Sequence, residues 1–338
     1  MNRVRDWKLW AGVLISVLFL WLAFRKTDLD EVGRAFSQAR YIWLIPSIAA
    51  NFIGLWIRCV RWGLLLKPLA DVRMKDLFPA TMIGFMANNL LPARIGEFVR
   101  ALVLGRKTGI RVSASFATIV LERVFDGITV LLFLLVTVGL LDLPFPDWLR
   151  KASLVSLGAV GLMLGLLVAL KAKTGAVLGF FGVMLRPFPH ALRSRVLGFL
   201  ESFAEGLHML RDWRSVAAAS ALSVALWIFP ALSLHFGVMA AGIHLPLAAS
   251  VFVLVILCIG VAAPSAPGFV GTIQLVSVLG LELFGVPRPQ ALSFSILYHL
   301  SQYIPVTALG LVYFFSEGLS FSKIRSEQAG EKSDGVTE

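Results

Sequence analysis

Leu131-Leu-Phe-Leu-Leu-Val-Thr-Val-Gly-Leu-Leu141 has no charged residue, and blocks like it recur along the chain. Such blocks constrain the fold more than any motif. Continuous apolar runs near 20 residues are what a bilayer-crossing helix needs, whereas a membrane barrel shows alternating segments of about ten. The expected fold class is therefore an all-α polytopic membrane protein. Hydrophobic residues make up 58% of the 338-residue chain and charged residues 15%, against roughly a quarter charged in a soluble domain.

The runs predict about six full spans. These are Trp7–Phe24, Tyr41–Ile57, Ser115–Leu141, Ala152–Leu170, Ser215–Ala241 and Ala291–Phe315. The first run has a basic start but no small-residue cleavage site, so it is expected to stay as a span. Ala191–Leu210 places Leu192, Val196, Leu200, Phe203, Leu207 and Leu210 at helical spacing, the pattern of an interfacial helix. The tail from 319 to 338 is polar and expected to be disordered. Residues 1–318 are expected to form one bundle.

The net charge is +11. Its placement argues for topology rather than for nucleic acid. Lys and Arg collect at Arg3, Arg5 and Lys8, at Arg58, Arg61, Lys67, Arg73 and Lys75, at Arg94–Arg111, and in 171–213. The positive-inside rule then puts both termini in the cytoplasm, and a multi-pass protein of the plasma (inner) membrane is expected. The same charges favour anionic lipid.

Two apolar segments do not fit a simple crossing. Leu77–Leu91 is only about 22 Å of helix, short of a roughly 30 Å core, and has cytoplasmic-type charge on both sides. It is expected to enter, turn at Pro92 and return: a re-entrant hairpin. Leu247–Gly285 should do the same from the other side, turning at Pro264, Pro267 and Gly268. Backbone freed at such turns must be buried in protein or line a wet cavity. Leu55-Trp-Ile57 recurs as Leu226-Trp-Ile228, and Pro92 follows Trp56 at nearly the distance by which Pro264 follows Trp227. Gly96 follows Pro92 as Gly268 follows Pro264, and Ser115-Phe116 matches Ser293-Phe294. An inverted-topology repeat is expected, with 41–141 and 214–318 as halves joined by 142–213; many transporters share that plan.

The first hairpin concentrates polarity at Asn88, Asn89, Arg94, Glu97 and Arg100. Pro92 disfavours helix at the residue before it, and Gly96 removes bulk. The half-helix after the turn exposes N–H groups and partial positive charge, which with two arginines suits a phosphate. Glu122, Arg123 and Asp126 lie within a span, where ionisable groups face a partner or a cavity. They can pair among themselves, or Glu122 can meet Arg94 or Arg100. The second half carries Gln274, Glu282, Tyr298, His299 and Gln302 instead. Cys59 and Cys258 imply no disulfide framework, and the histidines show no metal-ligand spacing. No cofactor, metal or catalytic residue is expected.

Leu91-Pro-Ala-Arg-Ile-Gly-Glu-Phe-Val-Arg100, Glu122-Arg-Val-Phe-Asp126 and Ala263-Pro-Ser-Ala-Pro-Gly268 together resemble the flippase-like family named for the membrane region of lysylphosphatidylglycerol synthase. The resemblance spans roughly residues 8–316. It implies a bundle that moves lipids, with polar hairpins at its centre. A soluble aminoacyl-transfer domain follows the bundle in the synthases and is not expected here. The leading expectation is a lipid translocase that binds an anionic headgroup between the hairpins, with Arg94 and Arg100 on the phosphate and Glu97, Glu122 and Asp126 balancing charge. A membrane enzyme acting on lipid-linked sugar or phosphate, and a scaffold for a separate lipid synthase, are the alternatives.

Overall fold

A computed structural model describes residues 3–25, 27–91, 95–141, 155, 158, 161–162, 165, 174–186, 189, 193–194, 196–201, 212–262 and 266–318, with side chains from residue 14 onward. Pro92, Arg94, Pro264, the tail, and most of the expected fourth span and interfacial helix lie outside these residues.

Among the described residues all regular structure is helical. The helices are α1 (Arg3–Phe24), α2 (Leu29–Ser37), α3 (Leu44–Leu66), α4 (Met74–Leu90), α5 (Gly96–Thr108), α6 (Val112–Leu140), α7 (Thr174–Met184), α8 (Trp213–Ala240), α9 (Leu247–Val261), α10 (Thr272–Glu282) and α11 (Arg288–Ser316). Short 3-10 turns at Tyr41–Trp43 and Pro267–Phe269 precede α3 and α10. Among the described residues two stretches, Tyr41–Leu66 and Trp213–Ala240, are long and apolar enough to cross a membrane. α6 and α11 each run 29 residues.

Local chemistry explains the boundaries. Leu91 is extended, with φ −110° and ψ 145°, as its position before a proline requires. α5 ends at Gly109, whose φ of 74° is left-handed, with Arg106 and Lys107 in the last turn facing the negative helix end. The Asp212 carboxylate caps α8, accepting from the Arg214 N–H at 3.1 Å and from the Ser215 hydroxyl at 2.6 Å. Residues 29–37 form a helix where no element was expected. Asp28 caps it through the Asp30 N–H at 2.8 Å, and its buried Val32 anchors it.

Eight helices pack in matched couples. Exchange α3 with α8, α4 with α9, α5 with α10 and α6 with α11, and each substantial packing pair among them maps onto another. Thus α4 on α5 matches α9 on α10, and α4 on α11 matches α9 on α6. α3 and α8 pack on each other along the exchange axis. Gly54 sits there, with Pro230 Cδ only 3.2 Å from where its Cβ would be. One core gathers around α3–α6 and a second around α8–α11. α1 packs on α10 and α2 on α11.

Candidate functional site

Two asparagines at the end of α4 tie it to α5 and α11. Asn88 Oδ1 accepts the Gly96 N–H at 2.8 Å, and its Nδ2 donates to Glu97 Oε2 at 3.2 Å. One orphan donor at the start of α5 is thereby satisfied. Asn89 Nδ2 donates to Thr307 Oγ1 at 2.8 Å, and its carbonyl accepts the Tyr303 hydroxyl at 3.3 Å. Gly96 is pressed against α4 so closely that a Cβ would strike the Gly84 carbonyl oxygen. Only glycine fits that crossing.

Arg100 does not reach toward the turn. Its Nη1 donates to Glu122 Oε2 at 2.6 Å, and its guanidinium lies 3.7 Å from the centre of the Trp62 ring. The Trp62 N–H in turn donates to Thr118 Oγ1 at 3.0 Å. Thr118, Glu122 and Asp126 recur every fourth residue on α6 and so line one face.

Two arginines join this face from α3. Arg58 Nη1 is 2.8 Å from Asp126 Oδ2. Arg61 Nη2 is 2.8 Å from Asp126 Oδ1 and 3.5 Å from Glu122 Oε1, while its Nη1 donates to Ser223 Oγ at 2.7 Å. The Trp227 N–H donates to Asp126 Oδ1 at 3.1 Å, which brings α8 into the cluster. Arg123 reaches Asp126 at 3.4 Å from the rim, its side chain 41% exposed.

Arg58 and Arg61 were expected to follow a span ending at Ile57. Instead α3 continues to Leu66 and buries both. Their spacing carried the signal: Arg58, Arg61 and Trp62 share a helix face, and the apolar run resumes at Trp62-Gly-Leu-Leu-Leu66. Lys67, Arg73 and Lys75 remain exposed.

Of the expected residues, the structure therefore joins Arg100, Glu122, Arg123 and Asp126. Asn88 and Glu97 form a separate pair at the start of α5, and Asn89 ties α4 to α11. Burying an ion costs several kcal/mol unless it is paired and hydrogen-bonded. Asp126 is met by three arginines and one indole. Arg100 is less well served: its Nε and Nη2 are buried without a hydrogen-bond partner, as is Arg61 Nε. Unpaired buried guanidinium edges are suited to a two-oxygen anion.

The second turn carries no such charge. Gly268, Phe269 and Gly271 have φ of 71°, 60° and 85°. Gln274 Oε1 accepts the Gly271 N–H at 2.7 Å, and Gln274 Nε2 lies 3.0 Å from His299 Nδ1. Ser16 Oγ, from α1, accepts the Ala266 N–H at 2.9 Å. The end of α4 packs on this turn, with the Asn89 carbonyl 3.3 Å from where a Gly268 Cβ would be. Glu282 pairs with Arg288 at 2.7 Å, and Gln302 Nε2 donates to Ser47 Oγ at 3.2 Å. Among the described residues no cluster of His, Cys, Asp and Glu has the makings of a metal site.

Comparison with known proteins places the chain. A UPF0104 membrane protein of Methanothermobacter thermautotrophicus is 25% identical over 86% of this chain and 90% of its own length. Another, from Methanocaldococcus jannaschii, is 25% identical over 92% of this chain and 96% of its own. The glycosyltransferase AglD of Haloferax volcanii is 26% identical over 86% of this chain, which spans about half (51%) of AglD. No solved structure matches. The family model for the lysylphosphatidylglycerol synthase TM region matches residues 9–310. The chain is a membrane protein and belongs to the lysylphosphatidylglycerol synthase transmembrane-region family.

Proposed function

We propose that this protein is a lipid translocase that holds an anionic headgroup at the buried arginine cluster. One observation carries the proposal: Arg100 is buried beside Glu122 with two of its nitrogens unpartnered. A buried cation of that kind is costly as scaffolding and useful as a binding group. The family's name, which refers to a lipid synthase, supports a lipid as the ligand.

The matched packing of the two sets of four helices supports an inverted repeat. The α4–α5 and α9–α10 pairs are its re-entrant hairpins, and both termini are cytoplasmic. Rocking of the halves about the α3–α8 contact would expose Arg100 to each side in turn. Arg94, next to the first turn, would meet the headgroup on entry. Glu122 and Asp126 hold the arginines when no lipid is bound. AglD's named activity belongs to a protein twice as long and is not carried over to this chain.

Proteoliposomes test the proposal. Short-chain fluorescent phosphatidylglycerol should cross the bilayer faster with the protein than without it, and Arg100→Gln should abolish the gain while the purified variant keeps its helical content. Crossing at the protein-free rate with wild-type protein would overturn it. A covalently altered lipid would point to an enzyme, and binding to a lipid synthase without lipid crossing would point to a scaffold.

A further inference from the structure

We infer that the cluster is matched to a single negative charge, so that the headgroup it takes is a monoanionic phosphodiester, and that Glu122 sets this number. The inference builds on the headgroup role proposed above. Among the described residues, the buried ionised groups of the cluster are Arg58, Arg61 and Arg100 against Glu122 and Asp126. Three cations face two anions. Arg123 reaches Asp126 from the rim, with its side chain 41% exposed, and so is not one of the buried charges.

A net buried charge is unfavourable, and one anion of unit charge removes it. A dianion would leave the site negative by one. The open hydrogen-bond positions lie on two of the same arginines. Arg100 Nε and Nη2 and Arg61 Nε lack acceptors. These nitrogens lie on two helices, and the tetrahedral phosphodiester can turn its two charged oxygens toward both, whereas the coplanar oxygens of a carboxylate match one guanidinium edge. Glu122 stands between the two arginines, 2.6 Å from Arg100 and 3.5 Å from Arg61. Its Oε1 has no hydrogen bond. When an incoming phosphate takes Arg100, Glu122 can close onto Arg61 without leaving the cluster.

The test uses the full chain in detergent at pH 8, where a phosphomonoester is close to doubly charged. The probes are dihexanoyl phosphatidylglycerol, dihexanoyl phosphatidic acid and decanoate. Wild type should bind the phosphatidylglycerol at least about tenfold tighter than the phosphatidic acid, against the order that a merely basic surface would give. Glu122→Gln raises the buried charge by one and should reverse that order. Arg58→Gln lowers it by one and should weaken both anions; it serves if Glu122→Gln does not fold.

Phosphatidic acid binding more tightly to wild type, or an unchanged order in Glu122→Gln, would overturn the charge match. Decanoate binding as well as phosphatidylglycerol would overturn the phosphodiester assignment. Arg100→Gln separates these failures from failure of the site itself. If that variant binds phosphatidylglycerol like wild type, the headgroup is not held at this cluster.

Discussion

Arg100 Nη1 and Glu122 Oε2 lie 2.6 Å apart, across the contact between α5 and α6, with both side chains almost wholly out of solvent. The pair joins the short helix after the first turn to the long helix that carries the carboxylates. Its cation retains two donors, Nε and Nη2, without a hydrogen-bond partner.

Removing Glu122 alone should be worse than removing both partners. Glu122→Met leaves Arg100 buried without its counter-ion and should destabilise by about 3–5 kcal/mol, whereas Arg100→Met leaves Glu122 its 3.5 Å contact with Arg61 and should cost less. The double substitution should recover most of that loss. Denaturation of the three variants in detergent, as a double-mutant cycle, measures the coupling. Independent, additive losses would show that the two groups do not act as a pair.

Gly96→Ala places a methyl against the Gly84 carbonyl. Since backbone, not a flexible side chain, lies in the way, the helices must part. Destabilisation of about 1–3 kcal/mol is expected, with lipid crossing reduced. Gly109→Ala is a useful contrast: no atom lies within 4 Å of its Cβ position, so any loss there is local backbone strain. Thermal unfolding and proteoliposome flux compare the two.

Asn88→Ala removes the acceptor for the Gly96 N–H and should cost about 1 kcal/mol, as for other helix caps. Asn88→Ser keeps a short acceptor and should retain part of it. Hydrogen exchange at the first amides of α5 distinguishes cap loss from global loosening.

Trp227→Phe keeps the ring packing but deletes the bond to Asp126. Hydrogen bonds to charged groups contribute about 1.5–3 kcal/mol, so stability should fall by an amount in that range. Because Trp227 lies on α8 and Asp126 on α6, lipid flux should fall more than phosphatidylglycerol affinity. An equal loss in both would place Trp227 in binding alone.

Asp212 offers a pH readout at the start of α8. The Ser215 hydroxyl, followed by the Arg214 and Ser215 N–H groups, holds its carboxyl below the usual carboxylate range. A lowered folded value means the cap is fully present above the unfolded value, near 3.9. It is lost as pH falls through the folded value, below that. Exchange at the first amides of α8 should therefore quicken only in that acid window, and Asp212→Asn should flatten the dependence.

Much of the fold was legible because apolar runs report burial directly. The long runs ending near Ala241 and Phe315 became α8 and α11 with boundaries close to those expected. Extended Leu91 and left-handed Gly268 were equally plain, since a following proline restricts the residue before it and a glycine admits positive φ. α2 was missed although Leu29, Val32 and Phe36 stand at helical spacing behind the Asp28 cap, because a nine-residue amphipathic helix is too short to show as an apolar run.

The candidate site was legible only in part. Glu122 and Asp126 stood out because ionisable groups in an apolar run are rare. Arg58 and Arg61 did not, because arginines after a hydrophobic block look like topology signals. By itself the sequence determined an all-helical membrane protein with two short, polar-tipped segments, since hydrophobic length and backbone restriction are local properties. Only the tertiary structure decided which cation meets which carboxylate. Pairing a buried charge depends on where four different helices, α3, α5, α6 and α8, bring their side chains, and no single segment encodes that.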